Sequence, residues 1–228
     1  MAATGTGRFF EGLSARFRAG RDVALRAFLS RLSAANGGAL RVLDLGGRVD
    51  YWARVGFDFL DAHDIHIHCI NYTTDELRLN VGQHPRITAE VGDARNLPHL
   101  ADGSFDLVHS NSVIEHVGRF ADMLAFAGET RRLAPAYYLQ TPYFWFPIDP
   151  HSPRAPFIHW LPNPLRLKIV RRVKVGWARP TRDVAHSMRN IESTMLIDKS
   201  MLRALLPDAR IRFERLLLLP KSLIAERG

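Results

Sequence analysis

Three histidines, one carboxylate and one glycine turn hold the groups in this chain that could do chemistry. His116 follows Glu115 directly, while His151 and His159 lie in a stretch crowded with proline and aromatic residues. Histidine titrates near neutrality, so His116 and His151 are the candidates for a general base that takes a proton from an oxygen or nitrogen nucleophile. The competing reading makes each a structural histidine, and makes Glu115 an acid at a helix start, where the helix dipole favours it. The turn is Asp44-Leu45-Gly46-Gly47, after a short apolar run and before a helix start. A strand that hands over to a helix in this way is where open α/β sheets bind nucleotide-like ligands. Glycine lets backbone approach a ligand, and the first helical N–H groups remain free as donors. Alone, the motif reads equally well as a plain turn.

No metal is expected. His66 and His68 alternate along one predicted strand and share a face, with no further ligand spaced nearby. Cys69 is the single cysteine, which excludes an internal disulfide framework and a cysteine-built zinc site.

The elements that must position these groups alternate between strand and helix. Residues 8–35 have helical spacing, with Phe9, Phe10, Leu13, Phe17, Val23, Leu25, Phe28, Leu29 and Leu32 at the apolar positions and a break expected at Gly20. Strands are expected near 41–45, 65–70, 86–90, 105–109 and 136–140, with helices after Asp50, after Thr73 or Thr74, and around 120–132. Strands alternating with helices imply a mainly parallel sheet covered on both faces. Residues 142–164 carry seven prolines among Phe144, Trp145, Phe146, Phe157 and Trp160, too many for regular structure and too aromatic for a linker. They read as an ordered insertion over the ligand end of the sheet. In it, Tyr143, Trp145, His151 and His159 are the expected acceptor-binding residues. A helix at 199–206 and strands at 210–216 and 223–225 finish the sheet as an antiparallel hairpin. One domain is expected over 1–228, with a helical lead-in (1–38), a core (39–142), an insertion or lid (143–198) and a terminal helix and hairpin (199–228).

The chain has 228 residues, 46% hydrophobic and 24% charged, as expected of a folded domain with a full core. Its net charge of +8 clusters: Arg166, Lys168, Arg171, Arg172, Lys174, Arg179 and Arg182 fall within 165–182 with no acid among them. Apolar residues alternate with these bases, so the segment reads as basic and amphipathic, suited to an anionic substrate or a membrane surface. Nucleic acid is the weaker reading, because no RNA-binding module accompanies the run. No apolar run reaches the roughly 18–20 residues of a membrane span, and the early arginines have no signal-like apolar segment beside them.

The order strand–Asp-x-Gly, strand–Asn71, Gly92-Asp93-Ala94, Phe105-Asp106-Leu107-Val108 and Ser112-Val113-Ile114-Glu115-His116-Val117 resembles the class I S-adenosylmethionine-dependent methyltransferases, and in particular bacterial small-molecule members. The resemblance covers about 40–142 and continues in strand order to the end. It implies a Rossmann-like sheet of seven strands, mostly parallel with an antiparallel last strand, and S-adenosylmethionine as cofactor. It also implies that Asp44 approaches the cofactor amino group, that Gly46 and Gly47 pass close to its methionine and ribose portions, and that Asn71 grips the ribose hydroxyls. Asp93 and Ala94 would hold the adenine, and Ser110 and Asn111 would line the methyl-transfer end. One departure stands out: Arg48 and Asp50 occupy the second and third glycine places of the usual turn.

The implied activity is methyl transfer to a small-molecule or lipid-linked acceptor in the cytoplasm, with peripheral membrane contact through 165–182 and no obligate protein partner. The alternatives are a non-catalytic binding protein on the same fold and an RNA methyltransferase.

Overall fold

The computed structural model describes residues 5–78, 82, 84–176 and 179–228, with side chains of the first helix described from residue 20 onward. Phe9, Phe10, Leu13 and Phe17 therefore lie outside the described side chains.

Seven strands form one sheet: β1 (Leu40–Leu45), β2 (Ile65–Asn71), β3 (Ile87–Val91), β4 (Leu107–Asn111), β5 (Ala136–Pro142), β6 (Arg210–Leu216) and β7 (Leu219–Arg227). Their spatial order is β3-β2-β1-β4-β5-β7-β6. The first five pair in parallel, and β7 runs antiparallel between β5 and β6. The expected Rossmann-like sheet and its closing hairpin are both present. Because β1 is covered on both faces, every residue in it except Arg41 is buried, so it carries an unbroken apolar run rather than an alternation. The chain travels outward from β1 to β3 and returns to pair β4 beside β1. That reversal opens a crevice beyond the strand ends, the usual ligand position in such sheets.

Helices cover both faces. On one, α1 (Gly5–Asn36), α2 (Val49–Val55) and α3 (Phe57–Ala62) bring Leu25, Phe28, Leu29, Trp52, Val55 and Leu60 against β1 and β2. On the other, α5 (Phe120–Leu133) and α8 (Lys199–Leu205) bury Met123, Phe126, Leu202 and Leu205. Between β2 and β3 runs the short α4 (Thr74–Arg78).

Three expectations need correction. Gly20 does not break the first helix, which is continuous from Gly5 to Asn36. A lone glycine costs a helix only about 1 kcal/mol, and the packing of α1 outweighs that. The basic 165–182 segment is not one amphipathic unit: α6 (Asn163–Val170) ends in turns at 171–173, before Gly176. The last strand is longer than expected and includes Pro220. This proline is tolerated because pairing with β5 begins only at Ser222. A further helix, α7 (Val184–Glu192), lies in the insertion, where Asp183 caps it by accepting from the His186 backbone N–H at 3.1 Å.

Candidate functional site: two cavities meeting at His116

The glycine turn is held from beneath by a buried polar cluster. The Asp44 carboxylate accepts from Trp52 Nε1 at 2.7 Å and from His109 Nδ1 at 2.7 Å. The Tyr51 hydroxyl lies 3.2 Å from the other ring nitrogen of His109. Burial raises the Tyr51 pKa, so it stays a hydroxyl able to donate there. Asn71, at the end of β2, donates from Nδ2 to the Gly47 carbonyl at 2.9 Å and ties the turn to the neighbouring strand. Gly46 has φ +73°, and a Cβ there would lie 2.4 Å from Val113 Cγ2. A Cβ on Gly47 would lie 2.1 Å from Asp44 Oδ2. Arg48, by contrast, has φ −134° and ψ 139°, an extended conformation open to any residue. That is why the second glycine of the usual turn can be absent. Arg48 donates from Nε to Asp50 at 3.1 Å in an exposed pair.

Above the turn, beyond the ends of β1, β2 and β4, lies a cavity of about 560 Å³. Gly46, Arg48, Asn71, Asp93, Val113 and His116 are among its lining residues. Its size is in the range of small-molecule sites. Apolar wall comes from Ile70, Ala94, Val113 and Val117, with Tyr72 at the rim, 68% exposed. Asp93 is oriented by Arg95, whose Nε and Nη2 reach its carboxylate at 2.9 and 2.7 Å. The Arg95 guanidinium holds the Asp93 carboxyl below the usual carboxylate range. Ser112, at the end of β4, sits at φ 57° and donates to Gln140 Oε1 at 2.9 Å. A left-handed non-glycine residue at a ligand rim is a common form of stored strain.

A second cavity, of about 270 Å³, lies within the insertion and reaches the cofactor-side core at His116. Asp149, His151, Arg166, Arg179, Asn190 and Thr194 are among the residues around it, and His116 lines both cavities. The His116 and His151 rings meet edge-on, with their Nε2 atoms 3.0 Å apart. His116 Nδ1 donates to the Ser193 carbonyl at 3.0 Å, and His151 Nδ1 donates to Asp149 Oδ1 at 2.7 Å. Partial burial lowers the His116 pKa. For His151 burial acts in the same sense, but the Asp149 hydrogen bond and charge outweigh it and raise the value. Glu115 is fully buried; one oxygen accepts from Thr141 Oγ1 at 3.0 Å and the other has no partner. Burial pushes its carboxyl up to about 7.

Residues 43–135 match the family model described as a methyltransferase domain. That stretch, less than half of the chain, is similar to methyltransferase domains. No curated protein matches the chain in sequence. Among solved structures, a S-adenosylmethionine-dependent methyltransferase from Mesorhizobium loti is 16% identical with a TM-score of 0.51, over 83% of this chain and 90% of that one. A Rhodobacter sphaeroides protein provisionally named for zinc-dependent alcohol dehydrogenases is 12% identical with a TM-score of 0.53, over 84% and 86%. At these identities the likenesses show the fold alone. A Galdieria sulphuraria protein provisionally named a sarcosine dimethylglycine methyltransferase is 22% identical over 59% of this chain, with a TM-score of 0.40, and the aligned part spans only 46% of its length.

Within the matched stretch, Gly46, Asn71, Asp93, Ala94 and Asn111 come together around the larger cavity. Asp44 and Ser110 do not reach it. Asp44 lies beneath the turn at 1% exposure, and Ser110 is buried with its hydroxyl donating to the Leu45 carbonyl at 3.0 Å. Gly47 borders a shallower recess on the Asp50 side of the turn. Asn111 is engaged from α1, where Arg21 Nη1 donates to its Oδ1 at 2.6 Å and Arg21 also pairs with Glu214. Of the expected acceptor residues, only His151 lines a cavity described here. Tyr143 packs on Phe213, and Trp145 is 55% exposed beside Trp160. His159 is buried, with Nε2 bonded to the Phe144 carbonyl at 2.9 Å. Tyr143 thus packs against the terminal hairpin, while Trp145 and His159 contact other aromatic residues of the insertion. Sequence reading placed Arg166 in the basic segment suited to an anionic substrate, and it missed Tyr72, Arg95 and Asp149. The Asp149-x-His151 spacing was the one available signal for the last.

Among the described residues no helix is long and apolar enough to cross a membrane.

Proposed function

We propose that the protein methylates a small polar or anionic acceptor held in the smaller cavity beside His116. One observation carries this reading: His116 borders both the cofactor-sized cavity and the cavity roofed by the insertion, so an acceptor and a cofactor would meet at that side chain.

The larger cavity suits S-adenosylmethionine in volume and in its mixture of apolar wall and carboxylate. The glycine turn would pass the methionine end, Asp93 and Ala94 the adenine, and Asn71 with Tyr72 the ribose side. Bound there, S-adenosylmethionine supplies an electrophilic methyl group. The chain's own contribution is to orient the acceptor and cover it from water, which supplies much of the acceleration in such transfers. His116 Nε2 faces the acceptor cavity with Nδ1 fixed by Ser193, so its ring carries an available lone pair toward His151 and the acceptor. It can take the acceptor proton as attack proceeds, with the Asp149 carboxylate near enough to favour the added charge.

Arg166 and Arg179 favour an anionic group on the acceptor. Arg166 is half-buried with Nε unpartnered, and its burial disfavours the cation, a cost that a bound anion would offset. The test is transfer of labelled methyl from S-adenosylmethionine into a panel of small anionic and neutral acceptors. Arg166→Leu is expected to raise KM for anionic acceptors by about tenfold, the worth of one charged hydrogen bond. Equal loss toward neutral acceptors would refute the anionic reading.

A lipid-linked acceptor is the second reading, favoured by Leu165 and Val173, 46% and 57% exposed among the bases of this segment. Co-sedimentation with vesicles of anionic phospholipid tests it, and absence of binding at low salt excludes it.

A further inference from the structure

We propose that Glu115, His116 and His151 form a site for one divalent first-row transition ion of the zinc class, set where the two cavities meet. One ligand atom from each of the three lies within 4.8 Å of the other two. An ion with bonds of about 2.0–2.2 Å spaces its ligands roughly 3–4 Å apart, so the set closes around it with shifts of an ångström or less.

The proton inventory of the histidine pair points the same way. The Ser193 carbonyl can only accept, so His116 Nδ1 carries a proton and its Nε2 bears a lone pair when the ring is neutral. Asp149 accepts from His151 Nδ1, which leaves His151 Nε2 facing His116 Nε2 at 3.0 Å. Two lone pairs at that distance repel unless a cation is shared between them, and that cation is either a proton or a metal ion. Fixing the distal nitrogen of each ring by a carboxylate or a backbone carbonyl is how metal-bound histidines are oriented.

Glu115 decides between the two cations. Its side chain is fully buried and one oxygen has no hydrogen-bond partner, and a proton shared by the two rings leaves that oxygen without a bond. An ion held by all three residues satisfies that oxygen and balances its charge in one step. Two imidazoles and one carboxylate suit zinc and its neighbours in the first row, whereas magnesium and calcium prefer all-oxygen shells. The sequence conceals the site, because 35 residues separate His116 from His151. Ion binding stands independent of the acceptor's identity. Only its use in catalysis rests on the methyl-transfer reading, where the ion would hold an acceptor oxygen and replace His116 as the means of lowering its pKa.

The test uses the whole chain, stripped with a chelator and titrated with Co²⁺ followed by visible absorption, then with Zn²⁺ by calorimetry, without cofactor or acceptor. One ion per chain is expected, with Zn²⁺ displacing Co²⁺. His116→Ala and His151→Ala should each weaken binding by more than about tenfold, and Asp149→Asn by about 10–100-fold, the usual effect of losing an orienting partner. Thermal melts of each variant report folding, and Zn²⁺ should raise the melting temperature of the parent chain but not of the histidine variants. Absence of stoichiometric Co²⁺ binding, or binding unchanged in both histidine variants, overturns the site. Binding of Mg²⁺ in preference to Zn²⁺ and Co²⁺ overturns the assigned class of ion. Calorimetry with S-adenosylmethionine on the stripped chain is a separate measurement, so failure of the metal site and failure of the methyltransferase reading are told apart.

Discussion

The Asp44 carboxylate and the His109 imidazole meet at 2.7 Å, with the two side chains 2% and 1% exposed. The acid that ends β1 is thus engaged inside the protein, where it joins the first strand to the fourth and to Trp52 of α2. Asp44→Asn should therefore act first on stability. An amide can accept from only one of the two donors, and it turns an N–H group toward the other. The expected loss is about 1–3 kcal/mol, the cost of leaving a buried donor unsatisfied, read from urea unfolding. Affinity for S-adenosylmethionine should fall with it as the turn loosens. Stability equal to the parent's, with cofactor binding lost, would instead return Asp44 to a direct ligand role.

Gly46→Ala meets two obstacles, a left-handed backbone and a Cβ placed 2.4 Å from Val113 Cγ2. Strain at such a position costs about 1–3 kcal/mol, and because Gly46 and Val113 both line the larger cavity, cofactor affinity should drop at least tenfold by calorimetry. Val113→Ala removes the steric part alone. In the double variant, part of the lost affinity should return while the backbone cost persists. Simple additivity of the two losses would show that the contact is not what constrains Gly46.

The same turn shows how far a sequence can be read. The apolar runs, the glycine pair and the order of motifs from Asp44 to Val117 are local signals, and local signals made the sheet, its hairpin and most of the cavity wall legible. What escaped depends on contacts distant in the chain. Nothing local tells that Asp44 is occupied by Trp52 and His109, because the His109 partner is 65 residues away. Proline and aromatic residues near 142–164 did mark an ordered insertion, yet Tyr143 turns to Phe213 of β6 and His159 into the insertion's own packing, while Arg166 and Asp149 border the cavity. A residue type cannot reveal which way it faces where no helical or strand period fixes direction. Arg48 was conspicuous for the opposite reason: the glycine it replaces is needed only where φ is positive, and here it is not.

Asp93 should behave differently from Asp44. It lines the larger cavity at intermediate exposure, and Arg95 fixes its orientation while also reaching Asp122 at 3.0 Å. Asp93→Ala is expected to weaken S-adenosylmethionine binding by roughly 1–3 kcal/mol through loss of an acceptor for the adenine. Arg95 keeps its Asp122 contact, so the melting temperature should change little. Unchanged affinity in this variant would show that the adenine lies elsewhere.

Glu115→Gln separates what the buried carboxylate costs from what it does. In the metal-free chain Glu115 is fully buried with one oxygen unpartnered, and burial has pushed its carboxyl up to about 7. Above neutral pH the folded state then carries an uncompensated buried charge that the unfolded chain exposes to water. A neutral amide of the same shape removes that charge and can still accept from Thr141. Glu115→Gln should thus stabilise the chelator-stripped protein above neutral pH by about 1–3 kcal/mol. Adding Zn²⁺ should reverse the ranking, because the parent gains an ion that the variant binds poorly. Paired thermal melts with and without Zn²⁺ give both signs in one experiment. If the carboxylate served only to receive the Thr141 hydroxyl, the two proteins would keep the same order in both conditions.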